Sequence, residues 1–212
     1  MESRVPTREE MLAAHKKRQG VEAVRKLQAA TVAVCGLGGL GSNIAISLAR
    51  AGVGKLILVD FDCVDVTNLH RQQYKACQVG LPKPEALLAN LKEIAPYAEY
   101  ETHFEKVTAE NVATLLAKAD VVCEAFDNAE AKAMLVNAVL ETMPQKFLVA
   151  ASGMASFEGG NTIRTRKIMD KFYLCGDGVS DVADGIGLVA PRVMLCAAHQ
   201  ALTAVRLILG LE

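Results

Sequence analysis

The sequence predicts a doubly wound α/β protein, a mostly parallel sheet with helices on both faces and an antiparallel C-terminal extension. Three observations predict it. Short apolar runs alternate with segments whose apolar residues recur at helical spacing, an order that buries a parallel sheet between two helix layers. The first run, Thr31 to Cys35, passes straight into Gly36-Leu37-Gly38-Gly39-Leu40-Gly41-Ser42, a G-x-G-x-x-G pattern between a strand and a helix. Asp60 ends the second run 19 residues after Gly41, where a Rossmann-like sheet places a carboxylate for ribose hydroxyls.

Taken in order, residues 1–30 form one amphipathic helical pattern, with Met11, Leu12, Val21, Val24 and Leu27 apolar among many charges. This arm either packs on the domain edge or reaches a second subunit. Val32 to Cys35, Lys55 to Asp60, Val121 to Ala125 and Phe147 to Ala150 read as strands, with Tyr100 to Phe104 a weaker one. Ser42 to Ala51, Pro84 to Glu93, Ala109 to Lys118 and Ala129 to Thr142 read as the helices between them. Beyond Ala150, Gly159-Gly160 precedes an alternating segment, Thr162 to Arg166, that suits a turn and an antiparallel strand. Cys175 to Gly187, with four glycines and three aspartates, is too polar for core and reads as a solvated, flexible lid. Pro191 to Leu209 closes the pattern as an apolar helix, with Pro191 in its first turn and Gly210 as its cap.

At 212 residues, 51% hydrophobic and 22% charged, the chain suits one globular domain, 1–212: arm (1–30), nucleotide-binding part (31–150) and extension (151–212). A net charge of −1 and a pI of about 6.4 argue against an electrostatic grip on nucleic acid. Residues 1–30 lack the continuous apolar core of a secretory signal, so a cytoplasmic location is expected. Pro191, Arg192, His199, Gln200 and Arg206 interrupt the apolar stretch Ile186 to Gly210, which reads as a buried helix rather than a membrane span. Cys35, Cys63, Cys77, Cys123, Cys175 and Cys196 include no C-x-x-C pair, so free thiols and no structural zinc are expected. Asp177, Asp181 and Asp184 lack the ligand spacing of a calcium loop. His70 and His199 receive no chemical role.

Gly36, Gly38, Gly39 and Gly41 permit a tight turn and close approach of phosphate to a helix N-terminus; glycines also serve simply to pack helix on sheet. The residues that follow narrow the chemistry. Hydride carriage by NAD gives no reason for Asn68, Arg71, Gln72 and Lys83 to gather beyond Asp60 and Asp62. Attack of a carboxylate on an α-phosphorus does, because negative charge then builds on the departing pyrophosphate. Arg71 and Lys83 would neutralise it, Asn68 would hydrogen-bond phosphate oxygens, and Gln72 would hold the loop or a phosphate. Asp127, just past the strand Val121 to Ala125, is placed either to hold Mg2+ from the far side of the cleft or to cap the helix that follows.

The strings GLGGLGS, LVDFD, NLHRQ, PK and AFDN together resemble the ThiF/MoeB family, bacterial relatives of ubiquitin-activating enzymes, over most of residues 7–210. The strings FYLCGDG and APRVMLCAAHQ resemble its short ThiF type. The resemblance implies a homodimer that uses ATP and Mg2+ to adenylate the C-terminal glycine of a ThiS-like, ubiquitin-fold sulfur carrier, in the thiazole branch of thiamine synthesis. It implies Asp60 as ribose ligand, Asn68, Arg71 and Lys83 as triphosphate ligands, and Asp127 as the Mg2+ or catalytic carboxylate. It also implies an N-terminal arginine acting on the partner subunit, here Arg8 or else Arg18. Some relatives take the activated carboxylate onto a cysteine, and Cys175, expected at the edge of the glycine-rich loop, is the candidate. Two other classes compete: an NAD-dependent oxidoreductase and a non-catalytic nucleotide-binding, carrier-docking module.

Overall fold

A computed structural model describes residues 4–182 and 187–211. Seven strands make one sheet: β1 (Thr31–Cys35), β2 (Lys55–Asp60), β3 (Glu99–Phe104), β4 (Val121–Glu124), β5 (Phe147–Ala151), β6 (Arg164–Met169) and β7 (Phe172–Gly176). Their order is β3-β2-β1-β4-β5-β7-β6, and every pair is parallel except β6 with β7. Succession reverses between β1 and β4. The carboxyl ends of those two strands therefore open a crevice, the place where such sheets bind ligands.

Helices α3 (Gly39–Ala51), α4 (Lys83–Ile94) and α7 (Ala190–Leu209) cover one face, and the short α5 (Val112–Leu115) and α6 (Ala129–Thr142) cover the other. The central strands are apolar on both sides because both sides are buried. Val32, Val34, Leu56 and Leu58 pack with Ile44, Leu48, Leu87 and Leu91, while Ala33, Ile57, Val59 and Val122 pack with Leu116, Leu135 and Val139. Each large side chain so buried contributes roughly 1.5–3 kcal/mol. β3, the weakest strand pattern, is an edge strand with no fully buried residue.

The arm is two helices, α1 (Arg8–Gln19) and α2 (Val21–Ala29), rather than one continuous pattern. Gly20, at φ +89°, breaks it. A capping box between Thr7 and Glu10 starts α1, which buries no residue, whereas α2 buries Val24 and Leu27. The expected helix Ala109 to Lys118 shrinks to α5, which has four residues. The C-terminal extension carries the expected antiparallel strand, β6, and adds one strand that was not expected. Phe172–Gly176 is a strand, and it runs parallel to β5, so only β6 is antiparallel. Its alternation is short, with Tyr173 and Cys175 pointing inward just before a glycine-rich stretch that obscured it. α7 is long and apolar enough to cross a bilayer by composition, yet Val193, Cys196, Ala197, Ala201 and Ala204 are buried in the protein core. Gly210, at φ +74°, ends it as expected.

Candidate active site

The glycine turn closes the crevice floor. Gly36 takes φ +89°, and a Cβ there would lie 2.7 Å from the Ala125 carbonyl oxygen. At Gly41 a Cβ would fall 1.7 Å from the Gly36 carbonyl oxygen, so helix and turn touch backbone to backbone. Gly38 faces more open space, its nearest neighbour being Gln72 Nε2 at 3.6 Å from such a Cβ, and it begins α3 with no side-chain cap. The first turn of α3 therefore keeps its N–H groups clear of side-chain acceptors, which suits an anion at the positive end of the helix dipole. Gly39 is packed by Val193 of α7 and by the stem of Arg71.

Asp60 fixes this turn. Its carboxylate accepts from Leu37 N at 2.6 Å and from Asp62 N at 2.8 Å. Burial pushes the Asp60 carboxyl up, opposed by Lys83 and by these two hydrogen bonds. Lys83, the first residue of α4, is 5% exposed, and its Nζ donates to Asp62 Oδ2 at 2.8 Å. Asp62 is half exposed, so it is the group a phosphate would displace from the buried ammonium.

Between β2 and α4 the chain crosses the mouth of the crevice. The Asn68 side-chain oxygen accepts from Arg71 Nη2 at 3.1 Å and from Gln72 Nε2 at 3.0 Å. Arg71 Nε and Gln72 Oε1 are buried with no hydrogen-bond partner among the described residues. Leaving such groups unpaired costs about 1–3 kcal/mol each, so they mark a place prepared for a polar ligand. Sequence reasoning missed the residues that hold this segment. Gln73 N donates to Ser42 Oγ, Gln73 Nε2 donates to Asn43 Oδ1 at 2.7 Å, and Tyr74 Oη donates to the Leu37 carbonyl at 2.7 Å. Ser42 and Asn43 had one sequence signal, polar residues on an otherwise apolar helix, and Gln73 and Tyr74 had none.

Asp127 approaches from the other wall. Ala125 N donates to the Cys35 carbonyl, and the Phe126 ring lies against Gly36, so the segment carrying Asp127 abuts the glycine turn. Asn128, not Asp127, caps α6, its side chain accepting from Ala131 N at 2.9 Å. Asp127 is exposed and has no hydrogen-bond or ion-pair partner among the described residues. No group of three or more His, Cys, Asp or Glu among the described residues is placed to hold a metal by itself. A lone carboxylate beside a phosphate cradle fits Mg2+, which takes one or two carboxylates and completes its shell with phosphate and water.

Two expected participants lie elsewhere. Arg8 borders a hollow shared with His15, Gln28, Gly52 and Tyr97, beside the C-terminal end of α3 and therefore at the opposite end of that helix from the glycine turn. Within one chain neither Arg8 nor Arg18, also on exposed α1, is part of the crevice. Cys175 is corrected: it is a fully buried residue of β7, not the edge of an open loop. Burial pushes its thiol up, only partly offset by the hydroxyls of Thr165 and Thr203. A buried, protonated thiol is a poor nucleophile. The exposed thiols are Cys63 and Cys77.

The expected solvated lid is corrected at its start. Asp177 accepts from the backbone of Val179 and Ser180 and pairs with buried Arg192 of α7. Arg192 spends its remaining donors on the carbonyls of Ala155, Glu158 and Gly159 and on Thr162. This is an anchored turn. Asp184 lies outside the described residues.

A glycine turn at a helix N-terminus and a carboxylate at the end of the second strand are the arrangement with which Rossmann-like sheets bind nucleotides. The family model described as the ThiF family matches residues 12–212. The chain belongs to the ThiF family. Among curated relatives it is 34% identical over 206 residues to the adenylyltransferase and sulfurtransferase MOCS3 of Anopheles gambiae, covering 91% of this chain and 44% of that protein. It is 31% identical over 198 residues to the adenylyltransferase and sulfurtransferase UBA4 of Lodderomyces elongisporus, covering 90% and 43%. This ThiF-family chain thus spans less than half the length of those relatives. Of solved structures, the E. coli tRNA N6-threonylcarbamoyladenosine dehydratase TcdA in complex with ATP superposes with a TM-score of 0.86 at 22% identity, covering 98% of both chains. E. coli MccB with ATP gives 0.69 at 21% identity, covering 91% of this chain and 59% of that one. These likenesses establish the ThiF-type fold.

Proposed function

We propose that the chain is an ATP-dependent adenylyltransferase that activates the C-terminal carboxylate of a small ubiquitin-fold sulfur carrier. The observation that carries this reading is the pair of buried, unpartnered polar atoms on Arg71 and Gln72 beside the open N-terminus of α3. Membership of the ThiF family supports adenylyl transfer over hydride transfer.

In this reading ATP lies with its ribose on Asp60 and its phosphates between the first turn of α3, Asn68, Arg71 and Lys83. The carrier carboxylate attacks the α-phosphorus, an acyl–O–P bond forms, the α–β P–O bond breaks, and pyrophosphate leaves with its charge opposed by Arg71 and Lys83. Mg2+, when bound, neutralises phosphate charge, and Asp127 is the residue that would hold it. Arg8 of a second copy would complete the site in a homodimer. Burial of Cys175 favours release of the acyl-adenylate over transfer to that thiol. A ThiS-like carrier and the thiazole branch of thiamine synthesis are the assignment we favour on the motif strings, in the cytoplasm.

The test is exchange of labelled pyrophosphate into ATP by the purified chain with ThiS-like and other ubiquitin-fold carriers. Carrier-dependent exchange is expected. Tight ATP binding with no exchange across all carriers would reject catalysis and leave a nucleotide-binding module.

A further inference from the structure

Three residues before Asp127 stands an ion pair with a buried carboxylate and a part-exposed ammonium. Glu124, the last residue of β4, is 1% exposed, and its carboxylate accepts from Lys132 Nζ of α6 at 3.0 and 3.1 Å. Lys132 Nζ donates a third hydrogen bond, 3.0 Å long, to the Ala151 carbonyl at the end of β5. The carboxylate also reaches the loop: Glu124 Oε1 accepts from Phe126 N at 2.7 Å. From the opposite face of the sheet, Gln200 Nε2 of α7 donates to the Glu124 carbonyl at 2.8 Å and to the Val149 carbonyl at 3.2 Å.

A core of this kind has no need of charge, and an apolar pair of equal volume would serve packing as well or better. What the charge provides is a fixed loop. Phe126 N is tied to Glu124 and the Asn128 side chain to Ala131 N, so a hydrogen bond anchors the residue on each side of Asp127 while Asp127 itself is exposed. We propose that the Glu124–Lys132 pair is a positioning device that aims Asp127 at the reacting phosphates. This rests on the adenylyl-transfer reading above. Neither residue touches substrate; both act through the backbone of residues 125–127.

The test uses the full chain, with Glu124→Gln, Lys132→Arg and the double variant Glu124→Gln/Lys132→Met. The double variant removes both charges at nearly constant volume and so avoids stranding a buried carboxylate. It is expected to fold. Its amides at residues 125–128 should exchange with deuterium roughly tenfold faster, and single-turnover adenylate formation should fall roughly ten- to hundredfold, the cost of a misplaced group. ATP affinity by equilibrium binding should stay within about twofold, since the glycine turn and Arg71 are untouched. Lys132→Arg, which preserves a charge-assisted pair, should retain most of the rate. Unchanged exchange at 125–128, an unchanged rate, or equal losses in rate and ATP affinity would overturn the proposal. If the wild-type chain forms no adenylate, the activity reading fails while deuterium exchange still decides the positioning claim.

Discussion

Asp60 and Leu37 are joined by a 2.6 Å hydrogen bond from the Leu37 amide to the Asp60 carboxylate, so the residue expected to bind ribose also shapes the glycine turn that would bind phosphate. Removing it disturbs both. Asp60→Ala loses two backbone-to-carboxylate hydrogen bonds, each worth roughly 1.5–3 kcal/mol when the acceptor is charged. The expected outcome is at least about a tenfold weaker ATP dissociation constant together with a lower unfolding midpoint, read by calorimetric titration and denaturant melts. A variant with normal ATP affinity would remove Asp60 from the nucleotide site.

Arg71 should behave oppositely. Its Nε already lacks a partner, and its side-chain hydrogen bonds among the described residues are one to Asn68 Oδ1 and one shared with the His70 ring. Arg71→Ala is therefore expected to leave the melting temperature without ligand unchanged or slightly raised, because a buried unsatisfied donor disappears. The stabilisation that ATP adds should largely vanish. Thermal denaturation with and without ATP reads both effects, and a large loss of stability without ligand would show that Arg71 is mainly structural.

The two outer glycines and the inner one separate packing from binding. At Gly41 an alanine Cβ would sit 1.7 Å from a backbone carbonyl, so the helix must move; destabilisation of several kcal/mol is expected. Gly36→Ala adds a left-handed φ to a 2.7 Å contact and should be comparably harmful. At Gly38 the nearest obstacle is the far end of Gln72, so Gly38→Ala should fold and lose nucleotide affinity instead. Denaturant midpoints beside ATP titrations distinguish the classes. Equal stability across all three would contradict the backbone contacts.

How much of this was legible in the sequence depends on whether the signal was local. The turn from Gly36 to Gly41 and the acid at Asp60 were legible because each sits in a fixed place relative to a strand end. Asn68, Arg71, Gln72 and Lys83 were legible as a cluster, but their geometry was not: only packing shows that Lys83 is masked by Asp62 and that Gln72 has a free oxygen. The sequence left Asp127 either to hold Mg2+ or to cap α6, because Asp127 and Asn128 are equivalent cap candidates; backbone direction gives the cap to Asn128. Cys175 was misread because its strand is five residues long and abuts glycines; pairing with β5, more than twenty residues back in the sequence, and with the neighbouring β6 makes it a strand. Arg192 looked like an interruption of an apolar helix, and its role depends on loop carbonyls more than thirty residues away.

Acid should loosen the Asp177–Arg192 junction. Desolvation pushes the Asp177 carboxyl up, but the amides of Val179 and Ser180, the Ser180 hydroxyl and Arg192 outweigh it and hold the group at about 2. A carboxyl whose folded value lies below its unfolded one adds stability above the unfolded value, near 4, and loses that stability as pH falls toward the folded value. Stability should therefore decline between about pH 4 and pH 2 through this group. Arg192→Met should cost roughly 3–5 kcal/mol at neutral pH by stranding the carboxylate. The double variant Arg192→Met/Asp177→Asn should recover part of that loss and flatten this part of the acid profile. An unchanged acid slope in the double variant would assign acid sensitivity to other carboxyls.

The thiols offer the last discrimination. Cys63 and Cys77 are exposed, while Cys35, Cys123, Cys175 and Cys196 are buried. Burial pushes all four buried thiols up, Cys196 to about 12, so none carries appreciable thiolate at neutral pH. Brief alkylation of the native chain followed by peptide mass mapping should therefore mark Cys63 and Cys77 and spare Cys175. Cys175→Ala should adenylate carrier at the wild-type rate, with a stability loss of about 1 kcal/mol or less for one small buried group. Cys63→Ser should do the same, because its thiol is exposed beside Asp62 and Lys83 without bonding to either. A Cys175→Ala chain that folds normally yet fails to turn over, or a thioester trapped on Cys175 with carrier and ATP, would mean that β7 opens during the reaction and that this thiol takes the acyl group after all.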